Sequence, residues 1–220
     1  MRGRRAIAGA LLLALGAGAA VARPGAPAAG VTPPRTEVAI FAGGCFWSTE
    51  KWFEQTPGVI AAVAGFTGGT LPNPTYEQVV RGGTGHREAV RVTFDPARIS
   101  YAQLIEHFWR SIDPADAGGV ICDRGHSYTT AIYVLTEAQR QVAAASKARL
   151  EASGVLKGRR VATPILRAQP FYPAEAHHQD YWRTHAERYA AYARGCGREA
   201  TLARVWGRAP APPPPLSAGR

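Results

Sequence analysis

The chain has 220 residues, 46% of them hydrophobic, and carries 26 Lys and Arg against 16 Asp and Glu, a formal net charge of +10. That length suits one domain of ordinary size with room for a hydrophobic core. The basic residues are scattered and form no dense block interleaved with aromatics, which argues against a nucleic-acid-binding surface; the three cysteines are too few and too far apart for a disulfide scaffold.

Residues 1–22 read as a secretory signal. Arg2, Arg4 and Arg5 make a charged start, residues 6–19 are apolar, and Ala20-Val21-Ala22 fits the small-x-small cleavage pattern. The apolar run is short for a membrane span. Cleavage here would remove three arginines and no acids, leaving +7. The expected location is therefore extracytoplasmic or periplasmic, with membrane tethering as the outcome if the segment stays uncleaved. Residues 23–35 are rich in Pro, Ala and Gly and read as a flexible linker. Residues 36–207 form the single expected domain. Residues 208–220, with Pro212 to Pro215 in a row, read as a disordered tail.

Within the domain, residues 36–41 form a β-like run and lead to Gly43-Gly44-Cys45, after which residues 48–53 read as a helix. Residues 59–66 are apolar and β-prone. Thr75-Tyr76-Glu77-Gln78 is a capping box opening a short helix. Residues 87–94 alternate, with Glu88, Val90, Val92 and Phe94 on one face. Ser100-Tyr101-Ala102-Gln103 caps an amphipathic helix carrying Leu104, Ile105, Phe108, Trp109 and Ile112. A Gly-rich loop follows over residues 115–127. Strands are expected over 128–135 and 161–166, with helices over 137–152 and 174–192. The order predicts an α/β, two-layer α+β sandwich: a mixed sheet with a split β-α-β, ferredoxin-like core and flanking helices.

The chemistry centres on Cys45. Two glycines allow a tight turn, and a cysteine at a helix N-terminus meets free backbone N–H groups and the positive end of the helix dipole. Both favour the thiolate, so its pKa is expected to fall. The plainer reading is a buried structural cysteine. Glu88, on an apolar strand face, reads either as a carboxylic acid of raised pKa or as a salt-bridged strand residue. Tyr76 and Tyr128 alone read as packing. Cys122 and His126 lie four apart but have no partner ligands, so no metal site is expected. No nucleotide or flavin fingerprint is present.

Several motifs in order resemble the A-type peptide-methionine sulfoxide reductases: Gly43-Gly44-Cys45-Phe46-Trp47, Gly65-Phe66-Thr67-Gly68-Gly69, Pro72-Asn73-Pro74-Thr75-Tyr76 and Thr84-Gly85-His86-Arg87-Glu88-Ala89-Val90. Asp123-Arg124-Gly125 with Tyr128, and Phe171-Tyr172-Pro173-Ala174-Glu175 with His178-Gln179-Asp180-Tyr181, continue the match. The resemblance spans about residues 37 to 207. It implies a peptide-methionine (S)-S-oxide reductase in which Cys45 attacks the sulfoxide sulfur and becomes a sulfenic acid. Glu88 would be the acid, Tyr76 and Tyr128 the phenols that hold the oxygen, Phe46 and Trp47 the cage for the S-methyl group, and Asp123 a carboxylate that orients the substrate or a bound water. Cys196, in a Gly-flanked segment, resembles the resolving cysteine that forms a disulfide with Cys45, with Cys122 as competitor. The implied partners are oxidised proteins and a thioredoxin-like dithiol reductant. No prosthetic cofactor is implied, and a monomer is the default. Ser127-Tyr128-Thr129-Thr130 departs from the family's Gln-Tyr-Arg-Ser, and Cys122 stands where the family often has another residue; both changes are expected to touch the site's rim. The alternative is an exported cysteine hydrolase or acyltransferase pairing Cys45 with His86, His177 or His178.

Overall fold

A computed structural model describes residues 35–207; the signal, almost all of the linker, and the Pro-rich tail read from the sequence lie outside them. The elements are β1 (Glu37–Ala42), α1 (Phe46–Glu54), β2 (Val59–Thr67), α2 (Tyr76–Arg81), β3 (Arg87–Phe94), α3 (Tyr101–Arg110), β4 (Gly119–Val120), β5 (Asp123–Arg124), β6 (Ala131–Val134), α4 (Glu137–Ala152), β7 (Ile165–Arg167), β8 (Tyr172–Pro173), α5 (Tyr181–Thr184), α6 (Ala186–Cys196) and α7 (Arg198–Trp206).

Six strands form one sheet in the order β7-β6-β1-β3-β2-β8. β1 pairs antiparallel with β3 and β6, β2 pairs antiparallel with β3 and β8, and β6 runs parallel to β7, so the sheet is mixed. Its centre is the expected split β-α-β: β1 and β2, joined by α1, are separated by the antiparallel β3. The period-2 pattern of β3 puts Val90, Val92 and Phe94 in the main core with Phe41, Phe53, Leu104, Phe108 and Trp109, all fully or almost fully buried. Each such side chain contributes about 1.5–3 kcal/mol relative to exposure. The capping boxes at Thr75 and Ser100 form as expected and start α2 and α3.

Three expected elements differ. The strand expected over 161–166 begins only at Ile165 and runs to Arg167, paired parallel with β6. The expected strand over 128–135 begins only at Ala131, because Tyr128 ends a short 3-10 turn (His126–Tyr128) entered from Gly125 at φ 112°. The single helix expected over 174–192 is broken. A 3-10 turn (Ala176–His178) is followed by Asp180 in the left-handed region at φ 53°, and α5 and α6 follow in turn. Tertiary hydrogen bonds account for the break. Gln179 Oε1 accepts the Ala64 N–H, its Nε2 donates to the Ala64 and Ala174 carbonyls, and Glu50 Oε2 accepts the Asp180 N–H. Gln179 thereby stands in for a strand residue beyond the short pairing of β2 with β8. Among the described residues no helix is long and apolar enough to cross a membrane.

Candidate active site

The turn between β1 and α1 builds the site. Gly44 adopts φ 80°, and a Cβ there would meet Val120 Cβ at 2.5 Å, so both conformation and space exclude a side chain. This places Cys45 at the N-cap of α1, buried at 6% exposure and not disulfide-bonded. Glu88 reaches the same point from β3. Its Oε2 accepts the Phe46 N–H at 2.8 Å, satisfying a free donor of the helix start.

Glu88 is 1% exposed, and its Oε1 is buried without a partner. Burial, helped by the nearby Asp123 carboxylate, pushes its pKa up to about 8 against the pull of the Phe46 N–H. At neutral pH the carboxyl is therefore mostly protonated. With Oε2 accepting, the proton belongs on Oε1, in the space shared with Cys45, Tyr76 and Tyr128, on all of which the Glu88 charge acts. Burial is also the main reason the Tyr76 hydroxyl rises to about 12 and the Tyr128 hydroxyl higher still, so both phenols keep their protons as donors.

The thiol runs against the sequence expectation. Burial, then the Glu88 and Asp123 charges, hold Cys45 well above the usual thiol range, with Tyr192 and Arg198 opposing. The helix terminus alone would lower it, but the first N–H of α1 is occupied by Glu88 and the sulfur is out of water. Without substrate, Cys45 is a thiol.

The remaining residues converge from both halves of the chain. Phe46 packs against Phe66 and Tyr76, with ring centroids 5.6 and 6.0 Å away. Trp47 stacks on Tyr181 at 3.8 Å and 8° and meets the edge of Tyr192 at 6.1 Å. Asp123, on the β4–β5 hairpin, accepts the Tyr192 hydroxyl at 2.6 Å and lies 3.8 Å from the Arg198 guanidinium. Sequence reasoning assigned no role to Tyr192 or Arg198. Tyr192 falls within the helix expected over 174–192, and its one signal in the sequence is that it lies one helical turn before Cys196.

Cys196 bonds to Cys122, and Cys45 is left as the free thiol among the described residues. The family resemblance implies a pairing of Cys196 with Cys45 from a Gly-flanked segment. Here Cys196 ends helix α6, with Gly197 in the left-handed region leading into α7. Cys122 is exposed and sits at the tip of the β4–β5 hairpin beside Ile121 at φ 59°. The expected departure at the rim is also only partial: Thr129 accepts the Arg87 Nε–H, and Thr130 is buried against Thr163. Among the described residues Cys122, Asp123 and Cys196 group as metal ligands would, but the two sulfurs are bonded to each other.

No histidine pairs with Cys45. His86 Nδ1 accepts the Gly69 N–H and its Nε2 meets the Leu71 carbonyl, so it braces a loop. His177 is exposed, and His178 Nδ1 faces Trp47. A cavity of about 540 Å³ lies between α1, α6 and α7, lined by Ser48, Trp52, Tyr189, Arg194 and Leu202, and its lining includes neither Cys45 nor Glu88.

A family model described as "Peptide methionine sulfoxide reductase" matches residues 37–209. The chain is 51% identical over 174 residues to the peptide methionine sulfoxide reductase MsrA of Bacillus licheniformis, covering 79% of this chain and 96% of the relative. It is 50% identical over 189 residues to peptide methionine sulfoxide reductase MsrA 2 of Caulobacter vibrioides, covering 86% and 95%. Among solved structures it resembles methionine sulfoxide reductase A of Corynebacterium diphtheriae, with a TM-score of 0.61 at 32% identity over 71% of this chain and 77% of that one. It also resembles Mxr1 from Saccharomyces cerevisiae in reduced form, with a TM-score of 0.65 at 25% identity over 71% and 89%.

Proposed function

This chain belongs to the peptide methionine sulfoxide reductase family, and from that premise we infer that it reduces methionine sulfoxide in peptides to methionine at the expense of its own thiols. The observation that carries the mechanism is the buried Cys45 thiol beside the buried Glu88 carboxyl, which caps the same helix start, with a disulfide at the rim. Glu88 Oε1 gives its proton to the sulfoxide oxygen, and Tyr76 and Tyr128 hold that oxygen by hydrogen bonds. Cys45 Sγ attacks the substrate sulfur. The thiol proton replaces the one Glu88 gave, the oxygen ends on Cys45 as a sulfenic acid, and the thioether leaves. Phe46 and Trp47 enclose the S-methyl group. With methyl cage and oxygen donors both fixed, the rest of the substrate has one direction left, which favours the S epimer at sulfur.

Recycling uses the other two cysteines. Cys196 attacks the sulfenic acid, forming the Cys45–Cys196 disulfide and water. Cys122 then attacks the Cys196 sulfur and Cys45 leaves as a thiol, giving the Cys122–Cys196 pair seen in the structure. Tyr192, one helical turn before Cys196, already touches the Cys45 environment, and Cys122 adjoins Asp123, so both thiols belong to segments that reach the nucleophile. A thioredoxin-like dithiol attacks the exposed Cys122 and restores three thiols. The reading includes no prosthetic cofactor, a monomeric enzyme, and export directed by residues 1–22, which rests on the sequence pattern alone.

Disulfide mapping after one equivalent of sulfoxide tests the route. Cys122→Ser is expected to trap Cys45–Cys196, and Cys196→Ser to yield about one equivalent of methionine and then stall with a dithiol donor. Sustained turnover by Cys196→Ser would shift the resolving role to Cys122.

A further inference from the structure

His178 is 4% exposed and lies among the groups assigned to the reaction, yet the mechanism gives it no step. Its Nδ1 accepts the Trp47 indole N–H at 3.3 Å. Its ring lies 4.3 Å from the Tyr76 ring, 5.5 Å from Phe46 and 5.9 Å from Trp47, centroid to centroid. One imidazole therefore touches both walls of the methyl cage and one of the two oxygen donors.

The backbone that carries His178 is fixed on both sides. His178 closes the 3-10 turn through its N–H to the Glu175 carbonyl at 2.9 Å. The next two residues are pinned by the Gln179 clamp on Ala64 and by Glu50 accepting the Asp180 N–H. Glu175, three residues earlier, accepts the Tyr76 N–H at 3.0 Å and so anchors the start of α2 to the same segment. An acceptor at Nδ1 fixes the tautomer with the proton on Nε2. His178 Nε2 is buried without a partner, as is Glu175 Oε2, and the Glu175 charge acts on the imidazole. Burial and the neighbouring His177 hold the ring in its uncharged form, against Glu175 and Glu77, so the acceptor lone pair persists at neutral pH.

We propose that His178 is a positioning residue for this reaction: through Nδ1 it fixes the Trp47 indole, and through its ring it supports Tyr76, so that one side chain sets the methyl cage and an oxygen donor in register over Cys45. The proposal rests on the reductase reading above. Trp47 grips a group present in both substrate and transition state, so a loosened indole weakens binding more than it slows chemistry.

The test combines single-turnover kinetics of the full-length, pre-reduced protein on a peptide bearing methionine S-sulfoxide with nitrogen NMR of ¹⁵N-histidine-labelled wild type. His178→Phe keeps a ring against Tyr76 and removes the acceptor. It is expected to raise the half-saturating peptide concentration about tenfold and to leave the limiting rate within about threefold. His178→Gln offers a carboxamide oxygen to the indole and is expected to restore half-saturation to within about threefold of wild type. The NMR spectrum is expected to show Nδ1 unprotonated and Nε2 protonated. A glutamine variant no better than phenylalanine, both variants at wild-type values, a loss confined to the limiting rate, or an Nδ1–H tautomer would each overturn the proposal. Should His178→Phe not fold, the tautomer decides alone. Wild-type protein that fails to reduce the peptide would instead overturn the reductase reading, while the tautomer still tests the Trp47 contact.

Discussion

Glu88 and Cys45, the acid and the nucleophile of the proposed reaction, are tuned by the same burial. Removing water raises both pKa values, which leaves the carboxyl protonated near neutrality and the sulfur protonated until a substrate oxygen takes a proton. With a pKa near 8, the acid form of Glu88 is full below that pH and lost above it. The single-turnover rate of wild type is therefore expected to fall as pH rises through about 8. Glu88→Gln is expected to lower that rate by about 10²–10⁴ and to remove this limb of the profile; a Gln variant that keeps the limb would assign it to another group. The identity of these residues was legible in the sequence, because Gly-Gly-Cys and an acid on an alternating strand each leave a local signature. The direction of the thiol shift was not. It depends on which side chain occupies the first N–H of α1, and Glu88 reaches that N–H from 42 residues away.

The strand–turn–helix unit of β1 and α1 is where local pattern and tertiary structure agree. Gly44→Ala places a Cβ against Val120 at a positive φ, so it is expected to destabilise the fold by about 1–3 kcal/mol from backbone strain, with the clash added. Denaturant unfolding reads this directly, and an unchanged midpoint would contradict the turn geometry. The segment after β8 shows the opposite case. The sequence predicts one helix over 174–192, but Gln179 and Asp180 exchange helical hydrogen bonds for bonds to Ala64, Ala174 and Glu50. Ala64 and Glu50 lie far away in sequence, and no local period reports them. The pairing of Cys196 with Cys122 was hidden for the same reason. It needs the β4–β5 hairpin and the end of α6 to meet, and sequence spacing is silent on that meeting.

At the scale of the whole molecule, the split β-α-β core was legible because its strands and capping boxes carry strong periodic signals, whereas the edge strands β7 and β8, three and two residues long, do not. The same core buries two carboxyls, Glu88 and Glu50, each with a folded pKa of about 8. An unfolded glutamate titrates near 4.3, so the folded state binds more protons across that interval. The contribution is full below the unfolded pKa and is lost as pH rises through about 8. The melting temperature is expected to fall between pH 5 and pH 8.5, and Glu50→Gln, which can still accept the Asp180 N–H, is expected to remove roughly half of that slope. A slope unchanged by the substitution would mean that Glu50 ionises normally in the fold. In the proposed reaction one buried thiol attacks one epimer and passes its oxidation outward. Its most direct test is single-turnover reduction of the separated methionine sulfoxide epimers, as peptides, by the pre-reduced protein, with thiols counted before and after. The prediction is reduction of the S epimer alone, with two thiols lost for the first equivalent and Cys45 still free to accept a second. Reduction of neither epimer, or of the S epimer with loss of Cys45 alone, would contradict it.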